Sequence, residues 1–160
     1  MKSNEVKFEV IRFGDNSTQD PSYLGPNGYA ITRKSHTKDL GVMISEDATF
    51  NSHIENIQTK CRQLMGYVLR SFRTRDPTTL MTLWKAIVIP HIDYCSQLWA
   101  PHQQQYIMRL EGLQRTFTSC IQDPESAQEV VENNNYWQRL RNLKLYSIER
   151  RLERYQIIYT

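Results

Sequence analysis

The sequence contains no apolar run of about eighteen residues, the length a membrane-spanning helix requires, and its N-terminal stretch "MKSNEVKFEV" has no apolar core for a signal peptide. An intracellular protein is expected, with nucleus and cytoplasm undistinguished. Cysteine is scarce: Cys61, Cys95 and Cys120 are odd in number, far apart and without a C-x-x-C pair. That argues against a disulfide framework and a zinc site, leaving reduced, buried thiols as the expectation. His36, His53, His91 and His102 are equally scattered and show no metal-ligand spacing. Also missing are G-x-S-x-G, a P-loop, H-E-x-x-H, a Gly-rich strand-to-helix turn and any Asp-Asp pair, so no familiar hydrolase, nucleotide or metalloprotease chemistry is written here. Asp93, set between Ile92 and Tyr94, is a lone acid on an apolar segment. Pairing with an arginine or capping a helix is the expected use of such a residue.

What is present divides in two. Residues 1–50 hold six Lys and Arg against seven Asp and Glu, whereas residues 51–160 hold fourteen against ten. The surplus of positive charge therefore lies in the second part, which suits a polyanionic partner. The first part alternates with period two. Val6, Phe8 and Val10 in "EVKFEV" predict a half-buried strand. The "GPNG" of "YLGPNGYAI" predicts a hairpin turn. A polar connector over 32–38 leads to a further strand around Leu40, Val42 and Ile44.

From Asn51 the period becomes about 3.6. Ile54, Ile57, Cys61, Leu64, Met65, Val68, Leu69 and Phe72 form one apolar stripe, with Lys60, Arg62, Gln63 and Arg70 opposite. Asp76-Pro77 predicts an N-cap and the first helical position of a second helix, which must stop or kink near Pro90. "HIDYCSQLW" predicts a short helix, residues 103–121 a long one with Ile107, Leu110, Leu113, Phe117 and Ile121 inward, and 122–135 an acidic loop. Two amphipathic helices joined near Lys144 to Ser147 complete the chain. Strands followed by helices define an α+β class, divided into a β-rich segment 1–46 and a helical domain 47–160.

Two stretches concentrate arginine. Along the first long helix Lys60, Arg62, Arg70, Arg73 and Arg75 suit phosphate contact, and equally suit a solvated face with cations at a helix C-terminus. In "RLRNLKLYSIERRLERY" the i,i+4 neighbours are like-charged, Glu149 with Glu153 and Arg150 with Arg154, and the one local opposite-charge pair is Arg150 with Glu153, three apart. Either a second basic surface or an arginine network locking the last helices would account for it. The aromatics, Trp84, Trp99, Trp137, Tyr94 and Tyr136, fall within apolar periodicity and are expected in the core.

The blocks "KFEVIRFG", "KDLGVMISEDATFNSHI", "IVIPHIDYCSQLW", "LEGLQRTFT" and "YWQRLRNLKLYSIERRLERY", in this order, resemble the C-terminal part of reverse transcriptases encoded by non-LTR (LINE-type) retrotransposons of the jockey/CR1-like kind. The resemblance runs from about Asn4 to Tyr159. It implies that Asn4 and Lys7 belong to the closing segment of the palm, where the family carries Ser or Thr after the lysine and this chain carries Phe8. It implies that Leu40, Gly41 and Val42 lie on the primer grip, a β-hairpin in which Gly41, read as a strand residue, admits close approach of the primer backbone. It implies a thumb helix from Asn51 to Arg73 that follows the minor groove of an RNA–DNA hybrid, with Gln58, Lys60, Arg62, Arg70, Arg73 and Arg75 as nucleic-acid contacts.

In that family paired palm aspartates hold two Mg²⁺ ions for in-line attack. They are absent from this sequence, so the expectation is a chain that does not polymerise unaided and holds no cofactor itself, Mg²⁺ belonging to the parent polymerase. A helical interaction module with an acidic protein partner, and a decayed fragment without selected function, are the alternatives.

Overall fold

A computed structural model describes residues 8–14, 23–25, 28–121 and 136–159. The chain divides into two compact units, 1–53 and 54–160.

The first unit is built on an antiparallel hairpin of β1 (His36–Asp39) and β2 (Val42–Ser45), with His36 opposite Ser45 and Asp39 opposite Val42. Its two-residue turn is Leu40-Gly41, both at positive φ, 45° and 90°. That is the pattern of a type I′ turn, whose twist matches that of the strands it joins. Two sequence expectations are corrected. The polar connector is itself strand β1, and Leu40 and Gly41 form the turn, so the glycine answers a backbone requirement rather than a close approach within a strand. The residues flanking "GPNG" pair as a hairpin would: Leu24 pairs with Ala30, and the Ile31 N–H donates to the Tyr23 carbonyl at 2.9 Å, while Pro26 and Asn27 lie outside the described residues. The expected strand at 5–10 is reduced among the described residues to one parallel bridge, Val10 with Arg33, and Phe8 is exposed.

After β2 the chain turns through a small polar knot. Buried Ser45 donates its hydroxyl to the Thr49 carbonyl at 2.6 Å and to Asp47, whose carboxylate also accepts the Thr49 N–H at 3.1 Å. These donors, Ser45 foremost, hold the Asp47 carboxyl below the usual range. The Met43 N–H donates to His53 Nδ1 at 3.2 Å. This bond ties the first turn of the next helix to β2.

The second unit is helical. Helix α1 (Asn51–Ser71) buries Ile54, Ile57, Cys61, Met65 and Val68, and burial pushes the Cys61 thiol up to about 12. Asp76 caps α2 (Pro77–Leu83), accepting the Thr79 N–H at 2.8 Å. A π-helical turn, Trp84–Val88, precedes α3 (Ile89–Asp93), with the Ile89 N–H reaching back to Trp84 O. The widened turn accommodates Pro90, which has no N–H and would otherwise press on the preceding turn. The expected single helix over 91–99 is interrupted at Tyr94-Cys95, where Cys95 adopts φ 52°, and resumes as α4 (Ser96–Trp99).

Helix α5 (Gln104–Ser119) is the spine of the core. It buries Leu110, Leu113 and Phe117, and the Phe117 ring stacks on Trp84 at 4.7 Å. Ile107 and Ile121 stay half-exposed, while Tyr106, Glu111, Gln114 and Thr118 are buried. Helices α6 (Tyr136–Asn142) and α7 (Ile148–Tyr159) are joined through Lys144 at φ 52°, the Leu145 N–H closing onto Leu140 O at 2.8 Å as in a Schellman cap. Glu111 caps α7 from a distance, its carboxylate accepting the N–H groups of Ile148 at 2.8 Å and Glu149 at 3.3 Å and the Tyr136 hydroxyl. Asp93 pairs with an arginine, as its sequence context implied: Arg151 donates to it twice at 2.7 Å and the Tyr155 hydroxyl adds a third bond at 3.2 Å. No described helix is long and apolar enough to cross a membrane.

Candidate functional site

Burial of one α1 stripe sends the opposite half of the helix to solvent. Arg62, Gly66 and Arg70, at steps of four, form one row of it, and Lys60, Gln63, Tyr67 and Arg70, at steps of three and four, a second, so that Lys60 and Arg62 stand at its two margins and Arg70 at its middle. The cations there are not consumed by the fold: Lys60, Arg62 and Arg70, and Arg73 two residues past the helix end, have no carboxylate partner among the described residues. Arg70 stands in the last turn, where the helix dipole favours positive charge.

Gly66 lies in the middle of this face. A Cβ added there would meet only the Arg70 guanidinium, at 3.7 Å, an ordinary contact. Nothing inside the fold requires a glycine at this position, although glycine in a helix interior is about 1 kcal/mol less favourable than alanine. Beside it Tyr67 is 61% exposed. Gly66 and Tyr67 were not among the expected contact residues. Their spacing from Lys60 and Arg62 was the available signal.

Two of the expected contact residues sit elsewhere. Gln58 is only 8% exposed and lies on the buried side, three and seven residues from Cys61 and Met65. Arg75 turns back onto the end of α1 and donates to the carbonyls of Leu69 at 3.2 Å, Phe72 at 2.8 Å and Thr74 at 3.0 Å. It closes carbonyls that a helix end leaves open. In the first unit Leu40 is 83% exposed at the hairpin tip, Gly41 stands beside it, and Val42 is buried. Lys7 lies outside the described residues. Among the described residues no group of three or more His, Cys, Asp or Glu could hold a metal ion.

These features define a class: a β-hairpin segment continuing into a helical module whose first helix offers an unpaired basic face. Compared with known proteins, the chain is similar to the "Probable RNA-directed DNA polymerase from transposon X-element" of Drosophila melanogaster, at 29% identity over 126 residues. The match covers 74% of this chain and 13% of that relative's length. No family model and no solved structure matches the chain. A transposon RNA-directed DNA polymerase is thus a homologue of this chain, which spans a small part of it.

Proposed function

We propose that the chain is the primer-grip and thumb portion of a non-LTR retrotransposon reverse transcriptase, and that its own role is to hold the primer–template duplex on the exposed face of α1. One observation carries this reading: Arg62 and Arg70, without carboxylate partners among the described residues, flank an otherwise unexplained Gly66 one turn to either side, and Lys60, equally without one, stands at the margin of the same exposed half of the helix. The cations supply phosphate attraction, and the missing side chain at Gly66 lets a nucleic-acid backbone approach the helix. An RNA–DNA hybrid is A-like, with a wide and shallow minor groove, and a helix face meets such a surface through shape and backbone contacts.

Leu40 supports the reading from the first unit. A leucine at φ 45° occupies a turn position that favours Asn, Asp or Gly, and it is held out in solvent. An apolar side chain so placed suits contact with a primer strand. The palm aspartates and their Mg²⁺ belong to the parent polymerase, and the chain alone is expected to be inactive in polymerisation.

The test is binding of a labelled RNA–DNA hybrid by fluorescence anisotropy across a salt series. Log affinity should fall linearly with log salt, and Lys60→Ala/Arg62→Ala/Arg70→Ala should make that slope shallower by about 0.9 for each phosphate the variant leaves unneutralised. No binding of hybrid at low salt, or a variant whose slope equals the parent's, would refute the proposal. Tight binding of polyglutamate with no hybrid binding would instead favour a module for acidic proteins.

A further inference from the structure

Helix α7 exposes groups that folding alone would neutralise or cover. Arg150 and Arg154 stand four apart on α7, Ile157 and Ile158 occupy its next turn, and Tyr146 lies two residues before its start. With Arg151, Tyr155 and one acid, Glu153, they line an open concavity of about 730 Å³, within the size range of ligand sites, where three arginines outnumber the single carboxylate. Ile157 is 78% exposed and Tyr146 57%.

The charges within this concavity differ in their commitments. Arg151 is held in its bidentate pair with Asp93. Arg150 and Arg154 have no carboxylate partner among the described residues, and as like charges four apart they repel each other. The Arg150 guanidinium lies 5.9 Å from the centroid of the Tyr146 ring. Unpaired cations, an exposed tyrosine and two exposed isoleucines thus meet in one hollow.

We infer that this face binds single-stranded nucleic acid, with Arg150 and Arg154 on phosphates and Tyr146, Ile157 and Ile158 receiving unstacked bases. A positively charged groove lined with aromatic platforms is how proteins hold single strands without reading sequence. A duplex keeps its bases stacked inside and offers phosphates and sugars, so it would engage the arginines and leave the apolar groups unused. An acidic peptide would do the same. This site lies on a different helix from the proposed duplex track, takes a different ligand and does not depend on that reading.

The experiment uses the full chain and a labelled oligouridylate of about 12 nucleotides, within the site sizes of single-strand binders. Arg150→Gln/Arg154→Gln should weaken binding and make the log–log salt slope shallower by about 0.7 for each phosphate left unneutralised, the single-strand value. Tyr146→Ala should weaken binding roughly tenfold with the slope unchanged, since stacking releases no counterions, and Tyr146→Phe should retain it. Arg150→Lys/Arg154→Lys keeps the charge and should keep most of the affinity, which separates the part played by charge from damage to the fold. Lys60→Ala/Arg62→Ala/Arg70→Ala acts on the proposed duplex track, and Tyr146→Ala should weaken single-strand binding by the same factor in that background as in the parent, because the two sites lie on different helices. The inference is overturned if the chain fails to bind the oligonucleotide at low salt, or if the Gln pair binds it as the parent does. It is equally overturned if Tyr146→Ala has no effect, or if anionic vesicles or polyglutamate bind through these arginines while the oligonucleotide does not.

Discussion

Gly66 sets local stability against contact with a ligand. Its added Cβ would find only ordinary contact with Arg70, so Gly66→Ala should stabilise the chain by about 0.5–1 kcal/mol in thermal or denaturant unfolding. If the gap serves a nucleic-acid backbone, the same substitution should weaken hybrid binding while leaving the salt slope intact. Greater stability with undiminished binding would remove Gly66 from the interface. His53 poses a different question, because its Nδ1 accepts the Met43 N–H and must be unprotonated to do so. Burial, and then Lys38, push its pKa below the ordinary 6.5. Folding therefore favours the neutral ring: this contribution is fully present above the ordinary value and is lost as pH falls through the lower folded one. The Met43 amide resonance should titrate in that acidic window in the parent and stay constant in His53→Phe; an amide insensitive to pH in both would show that the bond is not formed. The cations of α1 were legible at this scale because exposure follows from helical spacing. Gln58 was misread because a polar residue on the buried stripe looks like surface until its spacing to Cys61 and Met65 is weighed. Arg75 was misread because a capping arginine depends on where the helix ends, which pattern fixes poorly.

At the scale of elements, the long helices were readable and the short ones were not. α1, α5 and α7 declare themselves through sustained apolar periodicity, whereas β1, "HTKD", has no apolar side chain and becomes a strand only because β2 pairs with it. The break at Tyr94-Cys95 likewise depends on a left-handed residue that composition does not announce. The attachment of α7 is a tertiary matter of the same kind. Glu111, nearly forty residues earlier in the chain, accepts the N–H groups that begin α7, and the Tyr136 hydroxyl donates to the same carboxylate. Burial raises the pKa of that hydroxyl, and the neighbouring Glu111 carboxylate raises it further, so it stays a donor. Glu111→Ala leaves buried donors unanswered and should cost about 2–3 kcal/mol, the range for hydrogen bonds to a charged group. Tyr136→Phe removes the bond donated to Glu111 and a longer one accepted from Gln114 at 3.2 Å, while Glu111 keeps both α7 N–H groups and Gln114 keeps the Tyr146 carbonyl, so it should cost less, about 1 kcal/mol. Equal losses in the two variants, read from denaturant midpoints, would mean that α7 is held by apolar packing and not by this carboxylate.

For the whole molecule, the division after His53 separates a hairpin-based unit with few fully buried apolar side chains among its described residues from a helical unit that holds most of the described core. A two-stranded sheet is marginal in water, and its open edges invite pairing with other chains. The helical unit draws its stability from buried side chains such as Trp84, Leu110 and Phe117, each worth about 1.5–3 kcal/mol when removed from water. A chain beginning at Glu46 loses the hairpin, the Met43–His53 bond and the Ser45 side of the polar turn, and keeps every buried residue of the second unit. It should retain its helical circular dichroism per molecule and be at least as soluble as the full chain. The same truncation separates the two proposed contacts with duplex. Leu40 carries no charge, so removing it should weaken hybrid binding without lowering the salt slope, which belongs to the cations of α1. A clear loss of helicity would mean that the helical unit depends on the hairpin. A fall in slope with helicity intact would instead move part of the phosphate contact into residues 1–45.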